Sequence, residues 1–377
     1  MTGTPGIAWT ICFFLLVIGP LIFVHELGHY LVGRWFGIKA EVFSIGFGKE
    51  IAGWTDKRGT RWKLSWLPLG GYVKFAGDMN PASQPDPAWL NLPAEERAKT
   101  FQAKPVWQRF LVVAAGPVTN FLFAILIFLA LIFTMGLPRT PPVAATVSPG
   151  SAAQAAGIQA GDRLVRIDGE RVSQFDDIAQ LVVWRAGQKL EIELLRGGET
   201  VKVTAVPRAI EERDQFGNIS RRAILGVAPG EYVFESAGPI EAVGGSVRMV
   251  WRIVTMTVEG IGQIIVGRQS VKELGGPLKI AKFSGEQASL GWINFVWFVA
   301  VISVNLGFIN LLPIPLLDGG HLLFYAIEGV RRRPLRPQTQ EWAFRTGLAA
   351  LLALMIFVTL NDLASFGLWA KLGGLIG

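Results

Sequence analysis

In 377 residues, 36 Lys and Arg stand against 29 Asp and Glu, a formal charge of +7, and charged residues make up only 17 %. Ordinary soluble domains carry about 25 %, so a wholly soluble chain is excluded, as are the disordered and disulfide-rich secreted classes. The one cysteine, Cys12, can close no intramolecular disulfide, and basicity in so apolar a chain reports membrane orientation rather than nucleic-acid binding.

A bilayer core takes about 20 apolar residues as helix. The first such stretch, 7–33, has no Lys or Arg before it and no small-residue cleavage site after it, so it reads as a retained helix (domain 1–35) rather than a signal peptide. Residues 36–80 alternate strand-like runs (41–47, 61–66, 71–75) with Gly turns and carry aromatic residues among scattered charges. That pattern suits a small sheet at the membrane interface. Residues 81–107, rich in Pro, Asp and Ala at their start, read as a cytosolic linker. The second span is 108–135, within a segment 108–138 that has no charge between Arg109 and its end.

Residues 143–208 form a compact β-rich unit, with alternating strands at 190–196 and 200–206 joined by Gly197-Gly198. Its stretch SPGSAAQAAGIQAGDRLVRIDGERV (148–172) resembles the PDZ modules of bacterial proteases. Such modules bind an extended peptide or chain end by adding a strand to a sheet edge. Residues 209–290 follow as an amphipathic segment, with apolar residues at helical spacing over 240–265 interrupted by Arg248, Arg252 and Glu259.

The third membrane segment, 291–328, is broken by two prolines and two glycines. A basic loop, 329–343, carries Arg331, Arg332, Arg333 and Arg336, and the fourth span is 344–369. Basic residues crowd 34–63 and 331–336 but are absent before the first span. The positive-inside rule therefore places 34–107 and 329–343 in the cytosol, with both termini and the 136–290 loop outside. The expected fold is an α-helical polytopic membrane protein of four transmembrane helices, with a β-rich extracytoplasmic domain and a small membrane-associated cytosolic β element.

His25-Glu26-Leu27-Gly28-His29 is an H-E-x-x-H motif and uses two of the three histidines in the chain. On a helix, His25 and His29 stand one turn apart on one face, where both imidazoles reach one metal ion, and Glu26 beside them is placed as a general base. Ionisable residues inside a membrane helix are costly and mark function. A catalytic zinc takes three protein ligands and keeps a fourth position open. The third is sought in NLLPIPLLDGGH (310–321), where Asp318 is the only acid between Glu286 and Glu328. Irregular backbone at membrane depth is tolerated where it lines a protein cavity. His321 competes with Asp318 for the third place.

HELGH, AAGPVTNF (114–121), the PDZ-like insert, GGPLKIA (275–281), NLLPIPLLDGGH and Asn361-Asp362 occur in one order over nearly the whole chain. In this the chain resembles the site-2 protease family of intramembrane zinc metalloproteases, most closely its bacterial RseP-type members. The resemblance implies Zn2+ held by His25, His29 and Asp318, with Glu26 as catalytic acid/base. It implies that Asn310, with Pro313 and Pro315 beside it, binds the substrate backbone, and that 39–75 is a membrane-re-entrant β element. It also implies a bacterial inner-membrane location. The implied substrates are single-pass transmembrane proteins already cut by another protease, such as anti-sigma factors, and remnant signal peptides. Many relatives carry two tandem PDZ domains; this chain has room for one. A catalytically inactive PDZ-bearing scaffold would tolerate a damaged motif, yet every motif residue is present. A metal transporter would need acids or histidines in the second span, which has none.

Overall fold

A computed structural model of the chain describes residues 6–79, 87–182, 185–213, 219–267 and 275–365. The first helix, α1 (Ile7–Trp35), buries Val17, Leu21, His25, Gly28 and Tyr30. Val17, Leu21, His25 and Gly28 recur every three to four residues and make one stripe toward the protein, and Tyr30 is buried on the neighbouring face with Glu26 and Gly33. Ile7, Ile11, Leu15, Leu31 and Trp35 are exposed on its remaining surface, as a helix facing lipid requires. Two long strands follow, β1 (Ala40–Thr55) and β2 (Arg61–Phe75). Residues 40–45 pair with 71–75 on one side and 61–64 on the other, while 52–55 pair with 61–64. The order 71–75, 40–45, 61–64, 52–55 leaves 71–75 as an edge, with no strand on its far side among the described residues. Phe47, Ile51, Trp54, Trp66 and Leu67 are exposed on this sheet.

Of the expected linker, 81–86 lie outside the described residues; the rest contains a short helix α2 (Ala94–Arg97) and leads into α3 (Val106–Met135). Helices α1 and α3 approach closely at Gly28, where a Cβ would lie 2.5 Å from the Ala115 carbonyl oxygen.

The chain divides into two compact units, Leu131–Gly245 and the remainder. The smaller contains, in order, β3 (Leu137–Arg139), β4 (Thr146–Val147), α4 (Ala152–Ala155), β5 (Arg163–Ile167), β6 (Glu170–Arg171), α5 (Phe175–Val182), β7 (Leu190–Arg196), β8 (Glu199–Ala205), β9 (Arg208–Arg213), β10 (Ile219–Ile224), β11 (Val227–Ala228) and β12 (Val233–Glu235). Its main sheet runs β6-β5-β7-β8. Leu190, Ile192 and Leu194 alternate inward from β7 onto Leu164, Ile167 and the α5 residues Ile178 and Val182. Gly197 and Gly198 both adopt positive φ, closing the β7–β8 hairpin as their sequence predicts. The unit is larger than the expected 143–208, because β11 returns to pair with β4 and β12 with β3. Short returning strands of two or three residues carry too little alternation to be read beforehand. Asp162 accepts two hydrogen bonds from Arg196, at 2.7 and 2.8 Å, and that guanidinium holds its carboxyl below the usual carboxylate range.

Among the described residues five helices follow: α6 (Pro239–Ile265), α7 (Pro277–Ser289), α8 (Trp292–Leu311), α9 (Asp318–Arg331) and α10 (Pro337–Ser365). Among its described residues the segment 209–290 holds strands and two helices, of which α6 covers the apolar run 240–265. The third membrane segment is two helices joined by an irregular turn at 312–317. That turn needs Gly319 and Gly320 behind it, since a Cβ on either would lie 2.1 Å from the Leu312 oxygen or 2.5 Å from the Ile314 oxygen. Helix α10 begins at Pro337, ahead of the expected 344; residues 366–369 of the expected span lie outside the described residues. Pro is well suited to a first helical position, and Glu341 pairs with Arg345 one turn on. By length and composition, α1, α3, α8 and α10 can each cross a membrane.

Candidate active site

Helix α1 brings His25 and His29 one turn apart, with rings edge to face and centroids 4.9 Å apart. Their Nε2 atoms lie 3.3 Å from one another. Asp318, the first residue of α9, places Oδ2 3.1 Å from His25 Nε2 and 3.5 Å from His29 Nε2. The loss of helix over 312–317 lets an acid at the end of one apolar run point back toward α1.

Helix α3 forms the rear wall. His29 Nδ1 lies 2.9 Å from the Val112 carbonyl oxygen, a bond that only a protonated Nδ1 can donate, so in the neutral ring Nε2 keeps its lone pair. The side-chain amide of Asn120 lies 3.0 Å from His25 Nδ1. This wall stands so close because residue 116 is glycine: a Cβ there would lie 2.2 Å from His29 Nε2 and 2.9 Å from His25 Cε1. Thr119 Oγ1 donates to the carbonyls of Ala115 and Gly116, tying its own turn of α3.

Two imidazole nitrogens and one carboxylate oxygen therefore converge within 4.8 Å of one another. Asp318 Oδ2 is buried and faces the two imidazole nitrogens; where both nitrogens present lone pairs it has no donor, which is costly unless a cation meets it. Two nitrogens, one oxygen and burial make a donor set that fits zinc, and three protein ligands match a catalytic rather than a structural site.

His25, His29 and Asp318 line a cavity of about 490 Å³, together with Glu26, Asn310 and His321. Glu26 is buried, and Gly71 packs against it so tightly that a Cβ would lie 2.9 Å from Glu26 Cγ. Residues 70–73 of the sheet edge line the same cavity. Of the residues sequence reasoning assigns to substrate binding, Asn310 is in the lining. Pro313 and Pro315 are not; they shape the turn, with Pro315 packed against Gly320 and Gly347. His321 lies outside the three-atom cluster, its ring packed on Phe344 at 5.2 Å. Sequence reasoning misses the carbonyl of Val112 and the amide of Asn120. A signal for the second existed: Asn120 is the one amide in the uncharged run 110–138.

The model of Peptidase family M50 matches residues 13–354. A relative from Agrobacterium fabrum whose name contains the words "zinc metalloprotease" is 47 % identical over 370 residues, covering 97 % of this chain and 98 % of its own. Another so named, from Rhizobium meliloti, is 46 % identical over 363 residues, covering 95 % and 97 %. The metalloprotease MmpA of Caulobacter vibrioides is 37 % identical over 386 residues, covering 96 % and 97 %. With a matched region that includes HELGH and Asp318, the chain belongs to Peptidase family M50, the site-2 protease family, and is a zinc metalloprotease.

Proposed function

We propose that this enzyme cleaves the transmembrane segments of single-pass membrane proteins inside a bacterial inner membrane, as the second cut of regulated intramembrane proteolysis. The observation that carries the reading is the convergence of His25, His29 and Asp318 between apolar helices, in a cavity bordered by a strand edge. His25, His29 and Asp318 would hold zinc. The chemistry that bound zinc supplies is Lewis-acid polarisation of the scissile carbonyl and acidification of water. Glu26 takes the proton of the attacking water and returns it to the leaving amine. Asn310 donates its amide to the substrate backbone near the reacting carbonyl.

A substrate helix hides its peptide bonds in internal hydrogen bonds, so it must open before it is cut. In lipid each backbone group left without a partner costs several kcal/mol. The edge strand 71–75 can supply replacement partners by strand addition, and its residues 71–73 already face the cavity. Anti-sigma factors and remnant signal peptides are substrates of the required form.

The unit containing 143–208 acts as an extracytoplasmic PDZ domain that binds a peptide or chain end and governs access rather than chemistry. Both termini lie outside, and the exposed aromatic residues of the β1–β2 sheet rest in the lipid interface. The test is to reconstitute the full chain in vesicles with a single-pass substrate and locate the cut by mass spectrometry. A cut inside the membrane segment supports the reading; cuts confined to soluble flanks overturn it.

A further inference from the structure

We infer that Asn120 is a positioning residue for the metal centre: in the metal-holding form its amide oxygen accepts the Nδ1–H of His25 and so keeps the Nε2 lone pair of that ring directed at the ion. The inference rests on His25 being a ligand.

A neutral imidazole carries one proton, and whatever Nδ1 bonds to decides where it sits. For His29 the Val112 carbonyl settles the matter, because a carbonyl can only accept. His25 has no backbone carbonyl at its Nδ1; it has the Asn120 amide, 3.0 Å away. With the amide nitrogen turned to the ring, Nδ1 is an acceptor and the proton moves to Nε2. There it points at His29 Nε2, 3.3 Å away, and Asp318 Oδ2, 3.1 Å away. In that state a proton occupies the place of the ion. With the oxygen turned to the ring, both imidazoles carry their protons on Nδ1 and both Nε2 atoms are free. The two ends of an amide have nearly the same shape, so this orientation requires no movement of α3.

Asn120 is fitted for the task. It is fully buried, and its other amide end makes no hydrogen bond among the described residues. Its own carbonyl accepts a 2.8 Å bond from Ser303 Oγ on α8. Gly307 leaves the space that its Cβ fills, since a Cβ on Gly307 would lie 3.3 Å away. The side chain is therefore held from α8 and aimed at α1. Both ligand imidazoles take their Nδ1 partner from α3, one from the main chain and one from Asn120. Such partners of metal-bound histidines change metal affinity by about 10–100-fold when removed.

The experiment measures zinc affinity of the full chain in detergent by competition with a chromogenic chelator, for wild type, His25→Ala, Asn120→Asp and Asn120→Leu, with thermal melting as the check on folding. His25→Ala is expected to lose zinc; if it holds zinc as wild type does, the ligand assignment falls, separately from the role of Asn120. Asn120→Leu, which removes the partner at similar volume, is expected to weaken zinc by about 10–100-fold. Asn120→Asp, as the carboxylate, can only accept at Nδ1 and is expected to hold zinc close to the wild-type affinity. Wild-type affinity in Asn120→Leu, or a loss in folded Asn120→Asp as large as in Asn120→Leu, overturns the inference. If Asn120→Leu does not fold, the aspartate decides alone. A role only in packing would not separate acceptor from non-acceptor.

Discussion

Residue by residue, the site depends on what is absent as much as on what is present. Gly116 has no Cβ, and that gap is where the two imidazoles sit. Gly116→Ala would set a methyl 2.2 Å from His29 Nε2, a form of overpacking that typically costs about 1–3 kcal/mol. The expected outcome is a folded protein with sharply reduced zinc content; full zinc occupancy would mean that α3 gives way easily. A second residue-scale expectation concerns Asp162, held ionised by Arg196. Its lowered folded pKa stabilises the protein above the unfolded carboxylate value of about 3.9 and ceases to do so as pH falls through the folded value. Asp162→Asn should lower the melting temperature at pH 6, by an amount worth at most about 2 kcal/mol because Arg196 is partly exposed. The gap between variant and wild type should close as the pH falls below about 4. A constant gap would assign the effect to packing. The convergence of His25, His29 and Asp318 was legible in the sequence because so few side chains can hold zinc: three histidines exist, two stand at i and i+4, and Asp318 is the one acid between Glu286 and Glu328. Val112 was not legible, since its contribution is a carbonyl oxygen, which every residue possesses. Asn120 bonds to a ring 95 positions away, and no local spacing records that.

At the scale of elements, the two irregularities of the membrane region serve one place. The turn at 312–317 delivers Asp318, and the edge 71–75 borders the cavity beside Glu26. The break was readable from Pro313, Pro315, Gly319 and Gly320, which no continuous helix accommodates well. The sheet was readable as strands, but its order was not. Two continuous strands bend so that 40–45 pairs on both sides, and alternation alone cannot report which run becomes the edge. If the edge captures an unwound substrate, cleavage should depend on how readily the substrate helix opens. Replacing one mid-membrane substrate Leu by Ala and then by Gly lowers helix propensity by about 1 kcal/mol at the last step, and the rate should rise about fivefold if opening limits turnover. Equal rates along the series, at equal binding, would place the slow step in entry or chemistry.

Over the whole molecule, four apolar helices and a separate β-rich unit were both legible from runs of uncharged residues and from the turn chemistry of 143–208. The extent of the second unit was not, because its closing strands are only two and three residues long and carry too little alternation. The charge distribution predicts sidedness. With Cys12 replaced, a cysteine at the exposed Gln174 should react with an impermeant reagent added to intact cells, and one at the exposed Lys57 should not. Labelling in the reverse pattern would invert the topology. The central claim is that His25, His29 and Asp318 hold zinc while Glu26 moves the proton. It is tested most directly by purifying wild type and Glu26→Gln in parallel and measuring zinc content and cleavage of one transmembrane substrate. The account predicts equal zinc in both and cleavage only by the wild type. Loss of zinc from Glu26→Gln, or cleavage that survives the substitution, would contradict it.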